Sequence, residues 1–588
     1  MRSRALLALA SAVCMVTIPA IAVSAKKKNA KDARETGVGR QFLQQIPKDQ
    51  RIEQALSRLT FGPRPGDAAQ VKAIGLKAWI DLQLHPNRVE ENPVLIEKLK
   101  TFDTLTLSSE KLVREYPSPQ ILKQMASGQM PLPTDPDKRM MIQKRLAKYE
   151  AKEGDQPPPS VLPNAPPDPK TLRAMLTDDQ IRGLREGTPE QRVAFFQTLP
   201  VDKQDDVLEA MPRVRQALSV MGSPEVRRRV ELLIGPQQVV YRDLAEAKML
   251  RAVYSNRQLE EQLDDFWYNH FNVFADKGAD RYLVTEYEHD AIRPHVLGKF
   301  RDLLEATAKS PAMLFYLDNW QSVGPNAPQP RGQGNKAKRG LNENYGRELM
   351  ELHTLGVDGG YTQKDVTEVA RCFTGWTINQ PQRGGKFVFN PRLHDNGPKV
   401  VLGVTIPAGG GESDGEKVLD ILAHSPATAH FISKKLATRF VADAPPAALV
   451  DRMAETFLKT DGDIRQVMAA MIDAREFWSV GAYRSKVKSP FEMVASSVRA
   501  MNGNVDGAFP LVNQVAQLGE PLYRKLEPTG YSNSSAQWAN SAGLMARMNF
   551  ALQLASNKVP GVKVETDVAK RDDPLAGVSL GSPEFQKR

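Results

Sequence analysis

The chain has 588 residues, a formal net charge of +10 and 41% apolar residues. This length and apolar content predict a large folded core and two structural units. The sequence has no nucleic-acid-binding motif and no interleaving of basic with aromatic residues, so we expect no nucleic-acid partner. Its only cysteines are Cys14 and Cys372.

The first 25 residues follow the pattern of a secretory signal peptide. Arg2 and Arg4 precede an apolar run, and small residues ending at Ala25 precede a lysine-rich stretch. The apolar run contains serine, threonine and proline and is a weak membrane span, so we favour cleavage over anchoring. Cleavage after Ala25 leaves Cys372 alone, excludes an intramolecular disulfide and reduces the net charge to +8.

An exported protein is therefore expected. The periplasm is the expected compartment, and secretion or association with the outer membrane are the alternatives. No other stretch of the sequence resembles a transmembrane span, so we predict none in the mature chain.

Beyond the signal peptide, the sequence predicts a mainly α fold: a large multi-helix domain with one small β-hairpin, plus a helical insertion. The insertion has a proline-dominated segment at residues 154–169, and helices with capping boxes such as Thr177 with Gln180 follow it. It is interpreted as a helical spacer, with an interaction surface as the alternative. The predicted divisions are a flexible lead-in (26–50), the N-terminal part of the main domain (51–100), the insertion (101–245) and the rest of the main domain (246–588).

A long amphipathic helical pattern begins near residue 238. Leu259, Leu263 and Phe266 recur on its apolar side, and His270 lies near its end. A single histidine in such a helix is more often a satisfied structural residue than a functional one. Both interpretations of His270 remain open.

The densest run of polar and aromatic residues spans 341–376, which we name the motif unit. Its first helix has an apolar stripe through Tyr345 and Leu349, and Glu348 and Glu351 lie off that stripe. Gly356 is predicted to cap this helix in the left-handed conformation. A second helix then starts at a capping box formed by Thr362 and Asp365.

Two interpretations fit the charged residues of the motif unit. Glu343, Arg347 and Glu351 recur at intervals of four residues, so they fit an ordinary surface charge ladder. Glu348 borders the apolar stripe, and a partly buried carboxylate with a perturbed pKa is a candidate functional residue.

After the motif unit comes the clearest β signal. The runs at 387–389 and 400–402 flank a tip that contains His394 and Asp395. We predict one hairpin that folds over the motif unit and places His394 and Asp395 close to Glu348 and His353.

Several of these motifs together resemble the bacterial DUF1800 family, a domain of unknown function. The resemblance covers nearly the whole mature chain apart from the insertion. It implies a large, mostly helical, exported or envelope-associated protein, and it implies no particular reaction. The residues that carry it include Phe266-Trp267-x-Asn269-His270-Phe271, the run from Pro311 to Asn319, Asn342-Glu343-Asn344-Tyr345-x-Arg347-Glu348-Leu349, Thr374-Gly375-Trp376 and His394-Asp395.

No known catalytic signature for a zinc protease, a di-iron bundle, a serine hydrolase or a dinucleotide-binding fold is present. A carboxylate–histidine cluster remains, which fits acid–base hydrolysis, a bound divalent metal or a satisfied polar network. For an enzyme, we predict Glu348 as general base, Arg347 as the binder of an anionic substrate group, and His270, His394 and Asp395 around the site. The metal set would be Glu348, Glu351 and His353.

Two classes of function are therefore expected. The first is an extracytoplasmic, hydrolase-like enzyme. The second is a non-catalytic envelope scaffold or binding protein, whose basic surface and insertion would contact an envelope protein or an anionic polymer.

Overall fold

A computed structural model describes residues 37–153, 176–222, 224–325, 327, 340–564 and 579–588. The predicted signal peptide (1–25) and the proline-dominated segment (154–169) lie outside the described residues.

The fold is mainly α, as predicted. The α-helices of the described chain are Gly37–Gln41, Arg51–Leu59, Asp67–Ile74, Leu76–Leu84, Pro93–Leu99, Ser109–Glu115, Pro119–Ala126, Pro136–Glu153, Asp178–Glu186, Pro189–Gln197, Val201–Ala210, Pro212–Met221, Pro224–Ile234, Pro236–Tyr254, Gln258–His270, Asp280–Glu286, Phe300–Ala308, Pro311–Tyr316, Asn344–Glu348, Gln363–Cys372, Ser413–Ala423, Pro426–Phe440, Ala447–Lys459, Ile464–Asp473, Pro490–Ala500, Phe509–Gln517, Ser535–Trp538 and Ser541–Ala555. Two π-helical turns are Tyr287–Ile292 and Leu349–Thr354, and short 3-10 turns are Lys48–Gln50, Pro86–Arg88, Asp103–Thr106, Arg293–His295, Asn319–Gln321 and Pro381–Arg383.

Local capping explains many of the helix starts. The predicted capping boxes of Thr177 with Gln180 and of Thr362 with Asp365 are both formed. Gly356 ends the first helical stretch of the motif unit at φ +80, the left-handed conformation predicted for it.

The β structure differs from the single predicted hairpin. Strand Trp376–Ile378 pairs with Phe387–Phe389, and Lys399–Val401 pairs with Val404–Ile406. A third two-stranded sheet joins Asn504–Val505 to Val562–Lys563. The predicted pairing of 387–389 with 400–402 is therefore wrong, because each run has a nearer partner across a shorter connection. His394 and Asp395 lie in the link between the first two sheets.

One large core unites both ends of the described chain. One smaller cluster lies within the predicted insertion, and another joins residues of the insertion to Tyr282. Phe42 and Ile46 are buried in the large core, so the predicted flexible lead-in is wrong for these residues. Helix Pro236–Tyr254 runs across the predicted boundary at residue 245. Its first turns pack on a small cluster and its later turns on the large core.

No helix among the described residues combines the length and the apolar character needed to cross a lipid bilayer.

Candidate functional site

Buried polar side chains gather around helix Gln258–His270, which we name the pocket helix. The π-helical turn Tyr287–Ile292 places Glu288 beside Asp264 of this helix. The turn Leu349–Thr354 places the ring of His353 6.1 Å from that of His270. A π-helical turn redirects side chains and occurs frequently at functional sites. Both turns direct a polar residue at the pocket helix.

Asp264 and Glu288 are hydrogen-bonded carboxyl groups in the protein interior. Burial, opposed by Arg293 and reinforced by the charge of Glu288, raises the pKa of Asp264 well above its usual value. Burial also opposes ionisation of Glu288, but Lys248 and the hydrogen bond from Asp264 lower its pKa to about 2. Burial of two neighbouring carboxyl groups therefore favours one proton on the pair.

A small polar pocket opens beside this pair. Its volume of about 30 Å³ is enough for one or two water molecules. It is lined by Lys248, Asp265, Tyr268, Asn269, Asn272, Arg439, Ser489, Glu520, Leu522, Tyr523, Tyr531, Ser532 and Asn533.

Two acidic residues of the pocket differ in their surroundings. The Asp265 carboxylate forms ion pairs with Lys248 Nζ at 3.3 Å and with Arg439 Nη2 at 3.0 Å. Burial and the nearby charge of Asp265 raise the pKa of Glu520 to about 8, so Glu520 is protonated at neutral pH. A protonated acid beside a carboxylate held by two cations is an arrangement that acid–base catalysis uses.

The backbone at the pocket is strained. Tyr523 has φ +59, a conformation that a bulky residue adopts only when its surroundings enforce it. Its hydroxyl donates a 2.6 Å hydrogen bond to Glu288 Oε2, and its carbonyl accepts one from the amide of Ala275. This strain positions the Tyr523 hydroxyl at the carboxyl pair.

The loop after Tyr523 is fastened to the pocket helix by one side chain. Asn269 accepts a hydrogen bond from the amide of Tyr531 at 2.6 Å and donates one to its carbonyl at 2.8 Å. Gly530 has φ +67, and a Cβ there would lie 2.1 Å from the carbonyl oxygen of Asn269. Only glycine therefore permits this close approach of loop and helix.

His270 and His353 form a separate, buried pair. His270 Nε2 donates to the carbonyl of His353 at 3.1 Å, and its Nδ1 accepts from Lys435 Nζ at 2.8 Å. Burial and the charge of Lys435 lower the pKa of His353 to about 3 and that of His270 well below its usual value. Both rings are neutral at physiological pH, as in a structural network.

His394 and Asp395 also lie in the interior, but in another place. His394 Nδ1 donates to the carbonyl of Thr374 at 2.7 Å, and Nε2 lies 3.2 Å from Asp414 Oδ2. Lys399 Nζ lies 2.6 Å from Asp414 Oδ2. Asp395 accepts a hydrogen bond from Arg371 Nε at 2.7 Å. These bonds attach the second sheet to helix Ser413–Ala423, and the link that precedes it to helices Ser413–Ala423 and Gln363–Cys372. They do not reach Glu348 or His353 as predicted, because the partners of His394 and Asp395 come from helices Gln363–Cys372 and Ser413–Ala423 and the adjoining strand.

Glu348 and its neighbours lie nearer the surface. Glu348 is half-buried, and burial together with the charge of Glu351 raises its pKa while Arg347 opposes the shift. Glu351 accepts a 3.3 Å hydrogen bond from the Tyr361 hydroxyl. Arg347 lies 3.8 Å from Glu343 and donates to Gln363 at 2.8 Å, so the Glu343–Arg347 step of the predicted surface ladder is present.

The predicted metal set is not brought together. His353 packs against His270 in the core, whereas Glu351 is bonded to Tyr361. Within the described ranges, no three His, Cys, Asp or Glu side chains are grouped closely enough to hold a metal ion.

Sequence reasoning missed the charged residues of the pocket. Asp264 and Asp265 stand among Leu263, Phe266 and Trp267 on the pocket helix, and every one of these five residues except Asp265 is fully buried. Acidic residues inside an apolar helical run were the available signal. Glu520, Tyr523 and Lys248 come from distant parts of the chain, and no local pattern marks them.

The fold and site thus define a large helical protein with a charged interior site beside a π-helical turn. The family described as "Protein of unknown function (DUF1800)" matches residues 54–586, and the chain belongs to that family. No curated protein matches the chain, and no solved structure does.

Proposed function

We propose that the protein is an exported, hydrolase-like enzyme whose acid–base site is the pocket beside the pocket helix. The observation that supports this proposal is that one pocket, which accommodates water, is lined both by Glu520, whose pKa burial and Asp265 raise to about 8, and by the Asp265 carboxylate. This site replaces Glu348 and Arg347 as the proposed catalytic centre.

The proposed reaction adds water across a bond of the substrate. Asp265 removes a proton from the attacking water, and Glu520 donates its proton to the leaving atom, so the site ends with the two protonation states exchanged. Lys248 and Arg439 hold Asp265 in place through ion pairs. Lys248 is positioned in turn by Glu288 of the Asp264–Glu288 pair, and Tyr523 donates a hydrogen bond to Glu288.

The test is a substrate screen with the purified protein. Esters, glycosides, phosphoesters and peptides are supplied, and hydrolysis is measured from pH 5 to pH 9. We expect Glu520→Gln to lower kcat by at least about a hundredfold, with the folded structure retained by circular dichroism. Activity in the parent protein should fall above about pH 8, where Glu520 loses its proton.

Glu348→Gln is the matched control, since it changes a partly buried glutamate outside the pocket. Loss of activity in Glu348→Gln but not in Glu520→Gln would move the catalytic centre back to the motif unit. Export is tested separately by mass spectrometry of the mature N-terminus, which we expect at Lys26.

One observation favours the alternative of a binding protein. A cleft of about 920 Å³ lies between the predicted insertion and the main unit, and this volume is typical of ligand-binding sites. Gln197, Arg227 and Glu231 line it from one side, and Lys98 and Glu246 from the other. A well-folded protein that hydrolyses nothing in the screen would favour this second function.

A further inference from the structure

The helix Ser541–Ala555 exposes an apolar stripe, which Gly581 of the C-terminal segment borders at Met548. Arg547, Phe550, Ala551 and Leu554 point inward and are buried. Next to this buried side, four large apolar side chains are between 41% and 69% exposed: Leu544, Met545, Met548 and Leu552. Exposed apolar residues are usually scattered, and a cluster on one helix indicates an interaction surface.

The surrounding sequence has almost no charge. Residues 528–557 contain a single charged side chain, Arg547, and that side chain is buried. Elsewhere one residue in four is charged. Interfaces are depleted of charged residues and enriched in methionine, so this composition fits a protein–protein contact.

The order of the apolar residues indicates which partner fits. Leu544, Met548 and Leu552 form a ridge at intervals of four residues, and this ridge reads the same in both directions from Met548. In an antiparallel contact with an identical helix, Leu544 meets Leu552 of the second copy and Met548 meets its own equivalent. A two-fold interface requires this self-complementarity.

The net charge of the chain also favours a second copy as the partner. The chain as a whole is cationic, so two copies repel each other over most of their surfaces. The uncharged face is where two copies approach without that repulsion. It also offers no cation to an anionic polymer. We propose that the protein forms a two-fold homodimer through helix Ser541–Ala555, with the axis at Met548.

One helix face is smaller than the roughly 800 Å² per partner of a standard interface, so we expect a weak, concentration-dependent dimer. The full chain carrying Cys14→Ser is first measured by sedimentation velocity over a wide concentration range. The mass should rise toward twice that of the monomer. Met548→Glu places two like charges at the axis and should raise the dissociation constant at least about tenfold.

Met140→Glu is the matched control, because Met140 is 52% exposed on helix Pro136–Glu153, outside the proposed interface. It should leave the dimer unchanged. Melting curves of both variants establish that they are folded. A protein that is monomeric at every concentration, or a dimer that persists in Met548→Glu, would overturn the proposal.

Cysteine crosslinking tests the register independently. Cys372 is buried, and burial raises the pKa of its thiol to about 12, so it does not compete. Met548→Cys should crosslink to itself under mild oxidation. Leu544→Cys alone should not, since its two copies would stand roughly 12 Å apart along the helices, but it should crosslink when combined with Leu552→Cys.

Equal crosslinking of Leu544→Cys and Met548→Cys would reject the antiparallel register. The other candidate occupant of the face is a lipid surface, probed by flotation with phosphatidylcholine vesicles. A monomer that floats with vesicles, and loses flotation in Met548→Glu, would assign the face to lipid and overturn the dimer.

Discussion

The Glu343–Arg347 pair of the motif unit (341–376) and the charged residues around the pocket helix (Gln258–His270) have opposite environments. In the motif unit, Arg347 and Glu343 lie near the surface and form an ion pair at 3.8 Å. Around the pocket helix, Lys248, Asp264 and Glu288 are inside the protein and each is held by a partner of opposite charge or by a shared proton. A charge near the surface can lose its partner to water at little cost, whereas a buried charge cannot. Polar density in a sequence is therefore a weaker guide to a site than charge placed within an apolar pattern.

The two regions should differ most in the free energy of unfolding that is lost when one cationic side chain is removed from each. Arg439 contacts Asp265 and Glu492 at 3.0 Å in the interior. Arg439→Met leaves both carboxylates with fewer partners and should reduce the free energy of unfolding by about 3–5 kcal/mol. Arg347→Met, its counterpart in the motif unit, should cost less than about 1 kcal/mol. Urea unfolding of both variants measures this contrast, and similar losses in the two would contradict it.

The second prediction concerns pH. Burial, reinforced by Asp265, raises the pKa of Glu520 from 4.5 to about 8 in the folded protein. Between these values the unfolded chain has lost the proton and the folded chain keeps it, so the contribution of Glu520 to the free energy of unfolding is greatest below pH 4.5 and falls as pH rises toward 8. This group contributes a slope of at most about 1.4 kcal/mol per pH unit.

Glu520→Gln removes the titrating group, so the dependence of the unfolding free energy on pH between 5 and 8 should become flatter. Glu348→Gln serves for comparison, since Glu348 is only half-buried and should change that slope less. An unchanged slope in Glu520→Gln would show that Glu520 ionises normally and would remove the proposed acid.

The smallest expected effect is on the motif unit itself. Glu348→Gln should change the melting temperature by no more than about 2 °C, because surface and half-exposed substitutions away from paired buried groups have small effects. A calorimetric scan measures this. A drop of about 10 °C would mean that Glu348 is a structural residue and that the two regions are less different than described.

Local sequence rules predicted the elements they govern. The capping boxes at Thr177 and Thr362 and the left-handed Gly356 depend on residues three or four apart, and each was found as expected. The mainly α architecture followed from periodicity. The burial of Tyr345 and Leu349 followed from their shared stripe.

The site could not be predicted in the same way. Glu520 approaches Asp265 only after folding joins segments 255 residues apart in the chain. The π-helical turns depend on packing, since the residues of Leu349–Thr354 have an ordinary helical pattern. His394 finds Asp414 twenty residues later, where the sequence indicates only the acidic first turn of a helix. Each failure therefore concerns a contact that local propensity does not encode.

The two π-helical turns have a genetic consequence. Each contains one residue more than an α-helix needs, and losing a single codon from Tyr287–Ile292 would restore ordinary α-helical winding. The flanking residues would then turn by about 100° relative to one another, and Glu288 would leave Asp264. The polar contacts of the pocket helix therefore depend on an unchanged number of residues in both turns.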